Sequence, residues 1–140
     1  MANVVYNAFK KNIMNGSIDL DSDTIKVMLV TSSYTPDQDN HDYKDDVTNE
    51  VSGTGYTAGG AALSNKSVSQ DNTNDKGVFD ADDVTWSSST ITARGAVLYK
   101  DTGDDSTSPL ICYFDFGSDK SSSNGDFTIQ WNADGILNLS

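Results

Sequence analysis

The sequence predicts an all-β fold: a β-sandwich, jelly-roll or immunoglobulin-like, of about seven or eight strands with one N-terminal α-helix. Three observations predict it. The stretch Val78–Gly103 carries two runs of apolar alternation, Val78-Phe79-Ala81-Val84-Trp86 and Ile91-Ala93-Ala96-Val97-Tyr99, separated by Ser87-Ser88-Ser89 and closed by a Thr102-Gly103 turn. Alternation of this kind marks a sheet with one buried and one wet face. Second, the acids are nearly all Asp, Glu50 being the lone Glu. Asp suits turns, caps and strand ends, whereas Glu suits exposed helices. Third, clusters of Asp, Asn, Ser, Thr and Gly recur along the chain at the spacing of short strands.

Taken in order, residues 4–14 (VVYNAFKKNIM) read as the helix. Val4, Val5, Phe9 and Ile13 fall on one face, with Lys10 and Lys11 outward. Asn3 is placed to cap the start, and Asn15-Gly16 to stop it. Such a helix closes one end of the sandwich or lies as an arm on a neighbouring subunit. Thr24–Thr31 (TIKVMLVT) is the strongest strand, apolar beyond Lys26 as a central strand covered on both faces would be. Residues 34–50 (YTPDQDNHDYKDDVTNE) then form a long acidic loop. A loop of that length is functional or mobile, so it is the candidate partner-facing segment.

Val51–Gly60 is glycine-rich and feeds a strand at Ala61–Ser69, and Asp71–Lys76 is a turn. The two alternating runs of Val78–Lys100 follow, then a turn at Asp101–Pro109 and a strand at Leu110–Phe116. Gly117–Gly125 reads as a polar hairpin-like loop. Phe127–Trp131 and Ile136–Leu139 finish the chain as a hairpin turned by Asn132-Ala133-Asp134-Gly135. Val27, Leu29, Trp86, Val97, Phe114 and Trp131 are the expected core.

A length of 140 residues makes 1–140 one domain, large enough for a real core. Nine basic residues against twenty-one acids give a formal charge of −12. Nucleic-acid affinity comes from neutralised phosphates, so direct DNA or RNA binding is not expected. Acidity suits solubility or docking on a basic protein surface. Cys112, the only cysteine, sits in the apolar run Leu110–Phe114 and is expected to pack as a small buried thiol. The start MANVVYNAFKKN lacks the pattern of a secretory signal, and no apolar run approaches a membrane span of roughly 20 residues.

The motifs do not assemble into catalytic machinery. Gly53-x-Gly55-x-x-x-Gly59-Gly60 has neither the spacing of a dinucleotide fingerprint nor a following helix, so tight turns account for it. Asp19-x-Asp21-x-Asp23 begins like an EF-hand, but Thr24 stands where glycine is needed and Val30 where the bidentate acid belongs. Asp37-x-Asp39-x-His41 fails likewise. Asp80, Asp82 and Asp83 are at most a surface calcium site, and no metal or cofactor is expected. His41, the sole histidine, has no nucleophile placed beside it by any motif, and no Gly-x-Ser-x-Gly elbow is present. Trp86 and Trp131 continue strand alternation, which favours core or interface packing over stacking on a sugar.

With these residues laid out, a resemblance can be stated. The segments Tyr6–Asn15 (YNAFKKNIMN), Asp19–Asp37 (DLDSDTIKVMLVTSSYTPD), Asn49–Gly60 (NEVSGTGYTAGG), Phe79–Gly103 and Ile111–Asn132 resemble a family of small structural proteins of tailed bacteriophages, along nearly the whole chain. In size, acidity and β-rich character the chain is similar to capsid cement or decoration proteins. The resemblance implies a non-enzymatic protein on the virion's capsid surface, made in the host cytoplasm. Its partner would be the major capsid protein, and it would act as a homo-oligomer, a trimer first. A tail, baseplate or fibre-associated module is the competing structural role, and a host-surface carbohydrate binder the third. The residues expected to meet a partner are Phe9 and Ile13 on the helix and Tyr34, Asp37, Asp39, His41 and Tyr43 in the acidic loop.

Overall fold

Two adjacent β-branched residues decide how the chain begins. In the computed structural model, which describes residues 2–140, Val4–Val5 form strand β1 rather than the first turn of a helix. They pair antiparallel with Tyr113 and Cys112. Helix α1 spans only Asn7–Met14, so the predicted helix 4–14 starts three residues late. Its N-cap is Tyr6 in extended backbone, without a side-chain cap bond. Asn3 is no cap either: its Oδ1 accepts the Asp115 N–H at 2.6 Å. The end is as expected, with Asn15 as C-cap and Gly16 in the left-handed region at φ +80°.

The remaining strands are β2 (Ile25–Val30), β3 (Ala61–Ala62), β4 (Ser67–Asp71), β5 (Lys76–Asp80), β6 (Val84–Ser89), β7 (Thr92–Lys100), β8 (Leu110–Ser121), β9 (Gly125–Ile129) and β10 (Leu137–Leu139). The described residues thus hold ten strands where seven or eight are predicted, two of them only two residues long. A five-stranded antiparallel sheet runs β1-β8-β7-β2-β3, facing a three-stranded ladder β10-β5-β4 and a two-stranded ribbon β6-β9. The protein is all-β and sandwich-like, with one helix near its N-terminus. No described helix is long and apolar enough to cross a membrane.

Period-two alternation builds the layers. On β2, Ile25, Val27 and Leu29 enter the main core, while Met28 and Val30 point to the opposite face. On β7, Ala96 and Leu98 go to the main core and Val97 and Tyr99 to the other side. The main core is closed by Phe79 of β5, Val84 and Trp86 of β6, and Phe127 and Ile129 of β9, with Trp131 and Ile136 beyond. All the predicted core residues are buried except Phe114, which is half-buried against this core. Cys112 is fully buried, and burial pushes its thiol pKa up. A bulge keeps both faces in phase. Leu98 pairs with Cys112 but Tyr99 with Leu110, so Ile111 is the extra residue and turns into the main core.

Several sequence-adjacent strands are not partners. The apolar positions from Val78 to Trp86, read as one run, change phase at Asp82-Asp83, and there the chain leaves β5 at Asp80 and restarts as β6 at Val84 in another ladder. Ser87-Ser88-Ser89 belong to β6 and do not turn a hairpin, since β6 pairs β9 while β7 lies between β8 and β2. The predicted strand Ala61–Ser69 is split into β3 and β4. Gly117–Ser121 extend β8, shortening the predicted polar loop. Asn132–Gly135 turn the chain, but β9 and β10 join different ladders, so they form no hairpin.

Candidate docking face

Segment 31–50 covers the second face of the five-stranded sheet. The residues pointing that way, Met28, Val30, Val97, Tyr99, Leu110 and Tyr113, form a smaller core with Tyr6 and Tyr34. Tyr34 is 4% exposed and anchors the loop. Its hydroxyl lies 2.8 Å from that of Tyr6 and 2.9 Å from His41 Nδ1. The Asp37 backbone N–H also donates to Nδ1, at 3.2 Å. A backbone N–H can only donate, so Nδ1 is an acceptor, Tyr34 donates to it, and Tyr6 donates to Tyr34. The Tyr34 and His41 rings stack at 5.7 Å. Burial pushes the Tyr34 phenol up to about 12 and the Tyr6 phenol further still.

The loop is also stitched to α1 and to the turn 101–109. The Asn7 N–H donates to the Gln38 carbonyl, and Asn7 Nδ2 to Asp39 Oδ1 at 2.8 Å. Gln38 Nε2 reaches the Val5 carbonyl at 2.8 Å. Asp37 closes its own turn, taking the N–H groups of Asp39 and Asn40. Further on, a 3₁₀ turn at Lys44–Asp46 is held by Asp46 Oδ2, which accepts the N–H groups of Asp42 and Tyr43. The Lys44 N–H donates to Ser108, and its ammonium pairs with Asp105 at 2.9 Å above the Tyr99 ring. At the end of the loop Glu50 Oε2 accepts the Tyr56 hydroxyl at 2.6 Å and the Gly59 N–H at 2.7 Å.

The seven residues singled out from sequence thus divide. Phe9 is buried in the main core, with Ile13 partly buried beside it, and Tyr34 is buried in the smaller core beneath the loop. Tyr34, Asp37 and His41 come together in one hydrogen-bonded group. Asp39 and Tyr43 are exposed, Tyr43 at 40%. The outward surface is completed by residues that sequence patterning did not mark as a unit: Lys10, Lys11 and Met14 on α1, the last 86% exposed. Beside them stand Asp42, Asp45, Asp104 and Asp105. A shallow concavity of about 180 Å³ joins the two halves between Asn12 and Ser17 on one side and Tyr43, Thr102, Thr107 and Pro109 on the other. The face is rigid and mixed in charge, with an exposed thioether and phenol.

Three aspartates outside this face accept backbone N–H groups. Asp19 Oδ1 takes the N–H groups of Asp21 and Ser22, Asp80 that of Ala81, and Asp83 that of Trp131. No group of three or more metal-ligating side chains forms among the described residues. Both indoles are buried, and Trp131 Nε1 donates to the Asp82 carbonyl. Two ion pairs bracket β2 and β7: Lys26 with Asp101 at 2.8 Å and Lys100 with Asp23 at 3.0 Å.

Lys26 and the Gly103 N–H hold the Asp101 carboxyl below its ordinary range. A carboxylate with a depressed folded pKa contributes stability that is whole above its unfolded value, about 3.9, and is lost as pH falls through the folded value. Wild type should therefore melt above Asp101→Asn at about pH 5, with the gap closing toward about pH 2. Parallel curves over that window would remove the ion pair from the account.

No protein family, curated protein or solved structure matches this chain.

Proposed function

We propose that the chain is a virion structural protein of a tailed bacteriophage, a capsid cement or decoration protein that binds and stabilises the shell of the major capsid protein. The wording of its segments supports the family. The observation that carries the docking role is the pinning of segment 34–50. The segment covers the second face of the sheet, and its ties to α1, β1 and the turn 101–109 hold its outward side in one shape. A surface already ordered loses little conformational entropy on binding.

Mechanically, packaged DNA pushes outward on a shell, and a rigid clamp bridging neighbouring subunits adds buried area where the shell would open. About 800 Å² per partner, repeated over many sites, gives a large collective stabilisation. In this reading Met14 and Tyr43 are the anchors, and Lys10, Lys11, Asp39 and Asp42 set the orientation. The charge of −12 keeps the clamp off the DNA itself and directs it to basic protein surface.

Copy number tests the reading. Quantitative mass spectrometry of purified virions should find this chain in the hundreds, in a simple ratio to the major capsid protein. A handful to a few dozen copies would move it to the tail, baseplate or fibre and end the decoration role.

A further inference from the structure

Strand β4 lies at the edge of its three-stranded ladder with one side unpaired. Natural sheets blunt their edges with proline, bulges, inward charges or very short strands. Here β1 and β3 are two residues long and β10 three, and β6 carries a register shift between Trp86 and Ser89 with Ser88 at φ +50°. Strand β4 has none of these devices. Ser67 to Asp71 pair with Asp80 to Lys76 in five consecutive steps without a shift. The sequence SVSQD has no proline, four of its five residues are exposed, and Val68 is 54% exposed. Its outer side makes no backbone hydrogen bond among the described residues.

Charge says what can approach it. In a chain of net −12, residues 51–70 contain no acid and one base, Lys66. This lets two copies meet there without carboxylates in the seam until its ends. An antiparallel pairing centred on Ser69 places Ser69 opposite its own copy and Val68 opposite Gln70. It also sets Ser67 opposite the partner's Asp71, twice by symmetry, so that the carboxylates fall at the two outer ends of the seam. Val68 and Gln70 share the Phe79 face of the ladder, so the exposed valine gains cover in the seam.

We propose that a second copy of this chain adds to the β4 edge about a two-fold axis, making a continuous six-stranded sheet β10-β5-β4-β4-β5-β10. The contact is isologous, so the unit it makes is a dimer rather than a trimer. It is separate from the helix–loop face and does not depend on the capsid role.

Cysteine placement tests it cleanly, because the native thiol at Cys112 is buried. Ser69→Cys should form a disulfide-linked dimer under mild oxidation at least tenfold faster than Ser123→Cys, an exposed control in the loop after β8. Sedimentation equilibrium of the wild type should show the mass rising from 15.0 kDa toward twice that with concentration. Val68→Lys, an exposed site on a strand edge, should keep the circular dichroism and melting curve and hold the protein at the monomer mass. The inference is overturned if wild type stays monomeric at all concentrations, if Ser69→Cys cross-links no faster than the control, or if folded Val68→Lys still dimerises.

Discussion

Gly60→Ala should abolish cooperative folding or destabilise the protein by more than about 4 kcal/mol, a size reached by a clash that the backbone cannot relieve. Gly60 sits at φ +79°, immediately before β3, where the chain passes against β2. A Cβ there would lie 1.8 Å from the Val27 carbonyl oxygen and 2.8 Å from the Met28 Cα. Both are backbone atoms of the central strand, so no side chain can swing aside. Relief requires β3 to leave β2, breaking the Val27–Ala61 pairing. It also shifts Gly59, whose N–H feeds Glu50 and whose carbonyl accepts the Tyr99 hydroxyl at 2.6 Å. Gly16→Ala is the control: φ is +80° there too, but nothing lies within 4 Å of the added carbon. It should cost only the left-handed strain, about 1–2 kcal/mol. Urea unfolding of both variants separates clash from strain. Equal losses would mean that β3 does not approach β2 this closely.

How much of this was legible before the structure follows from the range of each interaction. The near-continuous apolar run of β2 beyond Lys26 said that the strand is covered on both faces, and Ile25, Val27 and Leu29 against Met28 and Val30 bear that out. The same fact demanded a cover for the second face. Tyr34 and Val47 in the segment 34–50 were the signal that this loop supplies it. Its acidic composition hid them, because Asp37 and Asp46 serve backbone N–H groups rather than solvent alone. Val4 and Val5 were read at helical spacing because their true partners, Cys112 and Tyr113, lie across the whole chain. No local pattern reports such a pairing. The hairpin expected at Asn132–Gly135 does not form because alternation tells which face is buried but not which strand lies alongside. Asp80 ends β5 by taking the Ala81 N–H, and Asp82-Asp83 then shift the phase of the apolar pattern before β6 begins.

Trp86 is the largest side chain that the ribbon β6-β9 buries, so Trp86→Ala should cost about 3–5 kcal/mol. Trp86 is 7% exposed and pairs directly across the ribbon with Phe127. Its indole meets the Phe127 ring edge-on at 6.2 Å and lies 5.8 Å from Tyr56. Tyr56 in turn takes the Leu29 N–H at 2.9 Å and gives its proton to Glu50. Removing the indole therefore opens a cavity between the ribbon and the central strand. It also frees the tyrosine that ties the end of the acidic loop to β2. The ribbon has only two strands and cannot stand without packing on a third element, so little collapse is available to fill the space. With a slope of about 2 kcal/mol per molar urea, the unfolding midpoint should fall by about 1.5–2.5 M. Trp86→Phe keeps an aromatic partner for Phe127 and should lose much less. Far-ultraviolet circular dichroism is the proper signal, since the substitution removes one of the two indoles. A midpoint shift below about 0.5 M would mean that the ribbon does not rest on this ring.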